Sequence, residues 1–514
     1  MSAQAPTKSS ARTAWLVVAL AAGLHVASAA WHVGFGGMNS DEGFYAVATR
    51  AVAQGEMPYR DFGFSQPPLV LYANCLPLSA VGFGLFAQRA VNGLWAALAL
   101  ALAARWLAGR TRWEWGVALA VGFSLSAPWM YFIHLGKTYG FTTLLVMLAA
   151  WAFLTLCAGP RRNAVLGLLA ALGVGTRLAT APFFGLLWLL ALWPGRRATA
   201  REVLAAVLSA GLGAAAVALP FWLAAPESVK FWVIDLHRLS LPYRDWRVGW
   251  DEIATLAPAT WTMSGVAVTV VLRRRRLASR EVGVMLASSA ALAANLLPGG
   301  VYDEYGVPFL LPLAAAAAAL VSDEMASRSR AAVTAVAACL VAAQFLAAPI
   351  LSRVPLARRG VASCWLTPTA PPYNQALPTQ LAIARQIVEH SLAPGAPFIG
   401  PNLILAAETG RNVPSGLRMG PFSFTVEIPP DRAARLHLVT HEELDVWFAR
   451  PDVTVLAFFP RQVFNYGWTM PTFGQLSEDF HAQWFAPLRR DFAVAYETDA
   501  DFLLLVRKPA ADQR

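Results

Sequence analysis

The chain has 514 residues, 57% of them hydrophobic and only 14% charged, where a soluble protein of this size carries about 25% charged residues. A mean hydropathy of +0.47 excludes a soluble globular domain and a disordered chain, and points to a polytopic membrane protein. The formal charge of +10 arises from 41 basic and 31 acidic side chains; the basic residues fall between apolar runs, a positive-inside bias rather than a nucleic-acid footprint.

Lys8 and Arg12 precede a first span at about residues 14–33. Its ASAA end has the small residues of a cleavage site, but the spans that follow need no export signal, so it reads as an anchor. In either case the next residues, including the adjacent acids Asp41 and Glu42, fall on the trans side. In DEGFYAVATRAVAQGE, Phe44, Val47, Ala48, Ala51 and Val52 have helical spacing and predict a short helix lying flat along the interface. Ser40 is its expected N-cap, a partial one because Gly43 takes the third helical position. Asp41 and Glu42 then sit in the first turn, where the helix dipole favours acids; helix-start chemistry alone would account for both. GEMPYRDFGFSQPPL predicts an extended, aromatic-rich loop carrying Arg60 and Asp61, followed by a second interfacial stretch at 69–85.

Further spans are expected at 86–108, 115–133, 139–157, a short pair at 163–177 and 179–193, then 203–225, 256–272, 282–298, 305–321 and 331–350. Arg105, Arg110, Arg112, Arg161, Arg162, Arg196, Arg197, Arg201 and the run Arg273 to Arg276 then all face the cytoplasm. The expectation is about eleven spans in the inner (cytoplasmic) membrane, with a cytoplasmic N-terminus and a periplasmic C-terminal region. The short pair is the weak point, because a span takes about 20 residues; a re-entrant pair would lower the count and keep the sidedness. The trans face gathers residues 34–85, 226–255, the turn 299–308 and everything after 350.

Residues 1–350 are read as the membrane domain and 351–514 as a trans-side α/β domain. Within the latter, LPTQLAIARQIVEHSLAPG reads as an amphipathic helix, APFIG and DVTVLAFFP as buried strands, and FAVAYETDADFLLLVRKP as two strands around a turn. ETGRNVPSG has glycines but not the strand–loop–helix setting of a phosphate loop. His437 and His441 lack a third metal ligand and read as a surface pair. Cys75, Cys157, Cys339 and Cys364 have no metal-ligand spacing and read as inert small residues.

Asp41-Glu42-x-x-Tyr45 directly after the first span, Gly55-x-x-Pro58-x-x-Asp61 and QPPL together resemble the first trans-side loop of GT-C fold glycosyltransferases. The resemblance is to the bacterial branch related to protein mannosyltransferases and aminoarabinose transferases, which use polyprenyl-phosphate-linked sugars. It implies that Asp41 is the catalytic acid position, with Glu42 and Tyr45 its neighbours, and that Tyr305 is the late aromatic that helps close the donor site. Gln66 stands where the aminoarabinose branch has a basic residue and Ser65 where it has an acid, which argues against an aminoarabinose transferase.

Chemistry fits that expectation. A lipid phosphate is a good leaving group, so the reaction needs a carboxylate to take the acceptor's proton, Asp41, and cations for the departing phosphate. Candidates on the trans side are Arg60, Arg89, Lys137, Lys230, Arg238, Arg244 and Arg247. Arg244 and Arg247 are interleaved with Tyr243, Trp246 and Trp250, a pattern that suits a sugar phosphate and a membrane interface alike. Lys137, between two spans, must find a partner or water. Asp41, Glu42, Tyr45, Arg60, Asp61, Gln66, Lys137, Arg244, Arg247 and Tyr305 are thus the candidate site, with no metal or other cofactor assigned, though Asp41 and Glu42 could hold a divalent cation. The expected partners are a polyprenyl-phosphate-linked sugar, a lipid, glycan or protein acceptor, and the bilayer. The alternatives are a transporter or lipid flippase, whose usual internal repeats and buried charges are not seen beyond Arg177, and a non-catalytic assembly subunit.

Overall fold

The computed structural model describes residues 9–35, 38–192, 198–239, 247, 256–275, 277–297, 303–326, 328–329, 332, 335–336, 338–339, 377–424, 428–458, 488, 490–498 and 502–509. Most of the span expected at 331–350, residues 351–376, Arg244 and its aromatic neighbours, Arg276 and Cys364 lie outside the described residues.

The apolar runs fold as helices: α1 Ser9–Phe35, α2 Ser40–Ala53, α3 Leu69–Val81, α4 Leu85–Arg110, α5 Trp113–Ser124, α6 Ala127–His134, α7 Tyr139–Thr155, α8 Pro160–Thr176, α9 Ala181–Leu192 and α10 Ala200–Ala224. Short turns α11 Pro226–Lys230 and α12 Leu236–Leu239 follow, then α13 Pro258–Arg274, α14 Arg280–Leu296, α15 Val307–Glu324, α16 Leu377–Ser391 and α17 Ile404–Glu408. Each expected span among the described residues coincides with a helix except 115–133, which is split into α5 and α6. Pro128, in the first turn of α6, explains the split: it offers no N–H to the carbonyl of Ser124, four residues back, where α5 ends. Leu85–Arg110, Ala200–Ala224 and Val307–Glu324 are each long and apolar enough to cross a bilayer. By contrast α9 rises only about 18 Å, short of a hydrocarbon core of about 30 Å.

The chain divides into two compact units. The first comprises Met1–Val33, Asn92–Val217 and Tyr243–Pro368. Its centre is α15, buried along nearly its whole length against α7, α13 and α14. The alanine run Ala314 to Ala319 is fully enclosed, small side chains that let neighbouring helices approach closely. Helix α10 is the opposite case. It exposes Leu204, Leu208 and Leu212, a greasy surface that water would not tolerate and lipid does.

The second unit comprises Gly34–Val91, Ala218–Pro242 and Thr369–Arg514. Helix α16 is amphipathic as its sequence predicts, burying Leu377, Leu381, Ala384 and Val388. Strands β1 Val455–Phe458, β2 Phe492–Glu497 and β3 Leu503–Arg507 form an antiparallel sheet in the order β1-β3-β2, with Val455 opposite Val506 and Phe492 opposite Arg507. APFIG is not a strand: Ile399 makes a single bridge to Leu456. Gly400, at φ +145°, then turns the chain, and Pro401 has no N–H to continue a ladder.

Helix α2 differs from its expectation as well. Glu42, Phe44, Tyr45, Val47, Ala48, Thr49, Ala51 and Val52 are all buried, so it is an enclosed helix rather than one lying flat with a wet face. It packs on α3 and α17. A Cβ on Gly43 would stand 2.5 Å from the backbone nitrogen of Ile404. We predict that Gly43→Ala lowers stability by about 1–3 kcal/mol. Gly23→Ala, where nothing lies within 4 Å, should be neutral or mildly stabilising by thermal unfolding in detergent.

Candidate functional site

The carboxylate pair is resolved by the start of α2. Asn39, not Ser40, is the N-cap: its backbone is extended and its side-chain oxygen accepts the Asp41 N–H at 3.0 Å. Glu42 therefore takes the third helical position and completes a capping box, its Oε2 accepting the Asn39 N–H at 2.9 Å. The same carboxylate receives a two-pronged bond from Arg89, Nε to Oε1 at 2.8 Å and Nη2 to Oε2 at 2.7 Å. Glu42 is 0% and Arg89 2% exposed. Arg89, a candidate phosphate cation by sequence, is thus held by Glu42. Asp41 is only half-buried. The Tyr45 ring is enclosed, stacked on Phe44 at 4.6 Å and edge-on to Phe64 at 5.5 Å.

The loop after α2 is folded back on itself rather than extended. The Tyr59 N–H donates to the Phe62 carbonyl at 2.7 Å, and the Asp61 carboxylate accepts the Met57 N–H at 2.7 Å. Burial of Phe62 and Phe64 favours this turn over an open loop. Tyr59 sits at φ +69° and its hydroxyl donates to the Gln66 carbonyl. Three later residues clamp the turn. The Trp232 ring fills the space where a Cβ on Gly63 would be, at 2.4 Å, and its Nε1 donates to the Leu436 carbonyl at 2.8 Å. His237 Nε2 lies 2.7 Å from the Ser65 carbonyl and 3.5 Å from Gln66 Nε2. His437 Nε2 donates to the Tyr59 carbonyl at 3.0 Å, so His437 is a packed residue and not part of a surface pair; the His441 side chain lies outside the described residues. Arg418 pairs with Glu56 from the C-terminal segment.

Arg60 and Asp61 pair with each other, Nη2 to Oδ2 at 2.7 Å, in an exposed position. The Arg60 guanidinium holds the Asp61 carboxyl below the usual carboxylate range. Arg60 is therefore a turn partner before it is a phosphate ligand. Lys230 is likewise paired, with Asp235 at 2.9 Å.

Lys137, Tyr305 and Arg247 belong to the first unit. Lys137 is buried and its Nζ donates to Glu304 Oε1 at 2.8 Å. Arg177 follows α8 and is buried beside it: the guanidinium lies 4.1 Å from the Tyr305 ring and 4.6 Å from the Tyr139 ring, and Nη1 donates to Thr138 Oγ1 at 2.9 Å. HLGKTYG, Arg177 and DEY, three separate points in the sequence, thus form one polar, aromatic-lined cluster. Next to it Gly140 lets the start of α7 press on α4, since a Cβ there would meet the Asn92 carbonyl at 2.4 Å. Arg247 is exposed.

Sequence reasoning missed Glu304, Arg177 as a member of this cluster, and the Glu42–Arg89 pair. Each carried a usable signal, because a charge within apolar sequence must have a partner. Among the described residues no three His, Cys, Asp or Glu side chains converge to hold a metal ion. The arrangement supplies one half-buried carboxylate at a helix start in the second unit, and buried cations stacked on aromatic rings in the first.

No known family model matches the chain, and no curated protein matches it. Solved structures do. ArnT from Cupriavidus metallidurans in the apo state aligns over 96% of this chain and 98% of its own, at 14% identity and a TM-score of 0.59. The same protein bound to undecaprenyl phosphate aligns over the same shares, at 12% identity and a TM-score of 0.58. The archaeal oligosaccharyltransferase AglB from Archaeoglobus fulgidus aligns over 87% of this chain and 69% of its own, at 12% identity and a TM-score of 0.48. The likeness to ArnT shows the fold: the chain is a polytopic α-helical membrane protein with the GT-C architecture and a small C-terminal sheet.

Two outcomes follow from the second unit. Arg89→Ala leaves a buried carboxylate without its cation and should cost about 3–5 kcal/mol in unfolding experiments. Burial lowers the His437 pKa, with the bond to the Tyr59 carbonyl opposing it. A base lowered on folding contributes stability that is complete above its unfolded value of about 6.5 and is lost as pH falls. The melting temperature should therefore drop between pH 7 and 5. His437→Asn, which tolerates the positive φ of 56°, should flatten that drop.

Proposed function

We propose that this chain, on its GT-C fold, is an inverting glycosyltransferase. It moves a sugar from a polyprenyl-phosphate donor to an acceptor on the trans side of the membrane. The observation that carries the reading is the division of the carboxylate pair: Glu42 is fully buried and bound by Arg89, while Asp41, next to it, is half-buried on the first turn of α2. The similar structure of ArnT, an aminoarabinose transferase, contains undecaprenyl phosphate, which supports a lipid-phosphate donor here.

Asp41 takes the acceptor's proton as the acceptor attacks the anomeric carbon. The bond from that carbon to the phosphate oxygen breaks, its electron pair leaves on the polyprenyl phosphate, and the configuration inverts. Cations on the trans side take the charge that develops on the phosphate; within the first unit Lys137 and Arg177, the latter stacked on Tyr139 and Tyr305, form a cationic, aromatic-lined cluster of the kind an anion favours. Arg60, Asp61 and Gln66 shape the acceptor side of the loop, and Arg244 and Arg247 are assigned to the donor's entry. No metal enters the scheme. Gln66 and Ser65, whose carbonyls anchor Tyr59 and His237, favour a sugar other than aminoarabinose.

The test is reconstitution of the purified chain in vesicles with a panel of polyprenyl-phosphate sugars, reading release of polyprenyl phosphate. Asp41→Asn should fold, insert and turn over about 10²–10⁴-fold more slowly. Unchanged turnover in that variant would remove Asp41 from the chemistry. Transbilayer lipid movement without sugar transfer by any donor would favour the flippase.

A further inference from the structure

Within the first unit lies a cavity of about 440 Å³, between the ends of α7, α8, α9, α10 and α14. That size falls in the range of about 300–1,000 Å³ seen for ligand sites. Three charged side chains line it: Arg162, Glu202 and Arg280. Arg162 and Glu202 are buried and Arg280 is half-buried. Two like charges on the wall of one partly open cavity repel each other unless an anion joins them, and a single carboxylate offsets only one.

Both arginines are positioned by helix-end carbonyls. Arg162 Nη2 donates to the Ala191 carbonyl at 2.8 Å, and Arg280 Nη1 to that of Leu156 at 2.8 Å and of Leu154 at 3.2 Å. Among the described residues no acceptor meets Arg162 Nη1, or Nε and Nη2 of Arg280. Glu202 is occupied in part by the Thr199 N–H, which it caps at 2.8 Å. Donor groups of two guanidiniums are thus fixed in place with capacity left for oxygens.

The rest of the wall is apolar. Buried Phe153 lines it, as do Leu277 and Leu286 although both are exposed, so the cavity opens on a greasy surface as well as on polar groups. Its place in the bundle separates it from the Lys137 cluster. Phe153 and Tyr139 are near opposite ends of α7, and Arg162 and Arg177 flank opposite ends of α8, a separation of about 20 Å along each helix. The cavity is therefore at the other membrane face, the one to which the arginine-rich loops assign the cytoplasm.

We infer that this cavity binds the phosphodiester headgroup of an anionic phospholipid from the cytoplasmic leaflet, with Arg162 and Arg280 on the phosphate oxygens and the leucine-lined mouth on the upper acyl chain. Basic pockets between helices at that face suit such headgroups, and a soluble phosphate would gain nothing from the apolar wall. The site is independent of sugar transfer.

The test uses the full-length chain, purified and analysed by native mass spectrometry with phosphatidylglycerol and phosphatidylcholine of identical acyl chains. Phosphatidylglycerol should be retained about tenfold more strongly. That preference should fall to near parity in Arg162→Gln and in Ala158→Trp, which fills the cavity from its rim and leaves both charges in place. Inorganic phosphate should not displace the lipid. Equal retention of the two lipids by the unaltered chain, an undiminished preference in folded Ala158→Trp, or displacement by inorganic phosphate would each overturn the inference.

Discussion

The buried ion pair between Glu42 and Arg89 is the interaction on which the second unit's polar geometry depends. An isolated carboxylate at 0% exposure would take up a proton or unfold its surroundings. With Arg89 on both oxygens and the Asn39 N–H on one of them, its charge is matched and its position is fixed. Because the same side chain closes the capping box, the pair also sets where α2 begins. That in turn decides that Asp41 occupies the first turn, one position from a fixed point.

The remainder of the second unit reinforces this start. Gly43 lets α2 press on the backbone of Leu403 and Ile404, and Arg50 reaches the Ala406 carbonyl at 3.0 Å. Trp232, His237, His437 and Arg418, drawn from two distant stretches of chain, close around the turn at residues 55–66. Most of these contacts are hydrogen bonds to backbone carbonyls, which fix a loop's path whatever its side chains do. The C-terminal segment therefore clamps the first loop as well as supplying the unit's sheet.

Much of this was legible in the sequence, and what was not has a physical cause. Spans were readable because apolar runs longer than about 17 residues have few alternatives, and the split at Pro128 was the exception that proline's missing N–H produces. The acids at 41 and 42 were visible, but the choice of Asn39 over Ser40 as cap depends on which of two adjacent polar residues turns extended. Local pattern does not encode that. Nor does it encode a partner 47 residues away, so Glu42 and Arg89 looked like two separate functional candidates. Lys137 was legible as a charge in need of company; that Glu304 supplies it and that Arg177 stacks on Tyr305 are products of folding. APFIG has strand composition but lies against Pro401, and one bridge is all the backbone allows.

The central claim is that two adjacent carboxylates have different work, Glu42 holding structure and Asp41 doing chemistry. Glu42→Gln tests it most directly when unfolding midpoint and sugar-transfer rate per folded molecule are measured on the same preparation. The midpoint should fall clearly, because Arg89 is left buried without its anion, while the rate per folded molecule stays within about tenfold. An unchanged midpoint with transfer abolished would contradict it and make Glu42 the catalytic base.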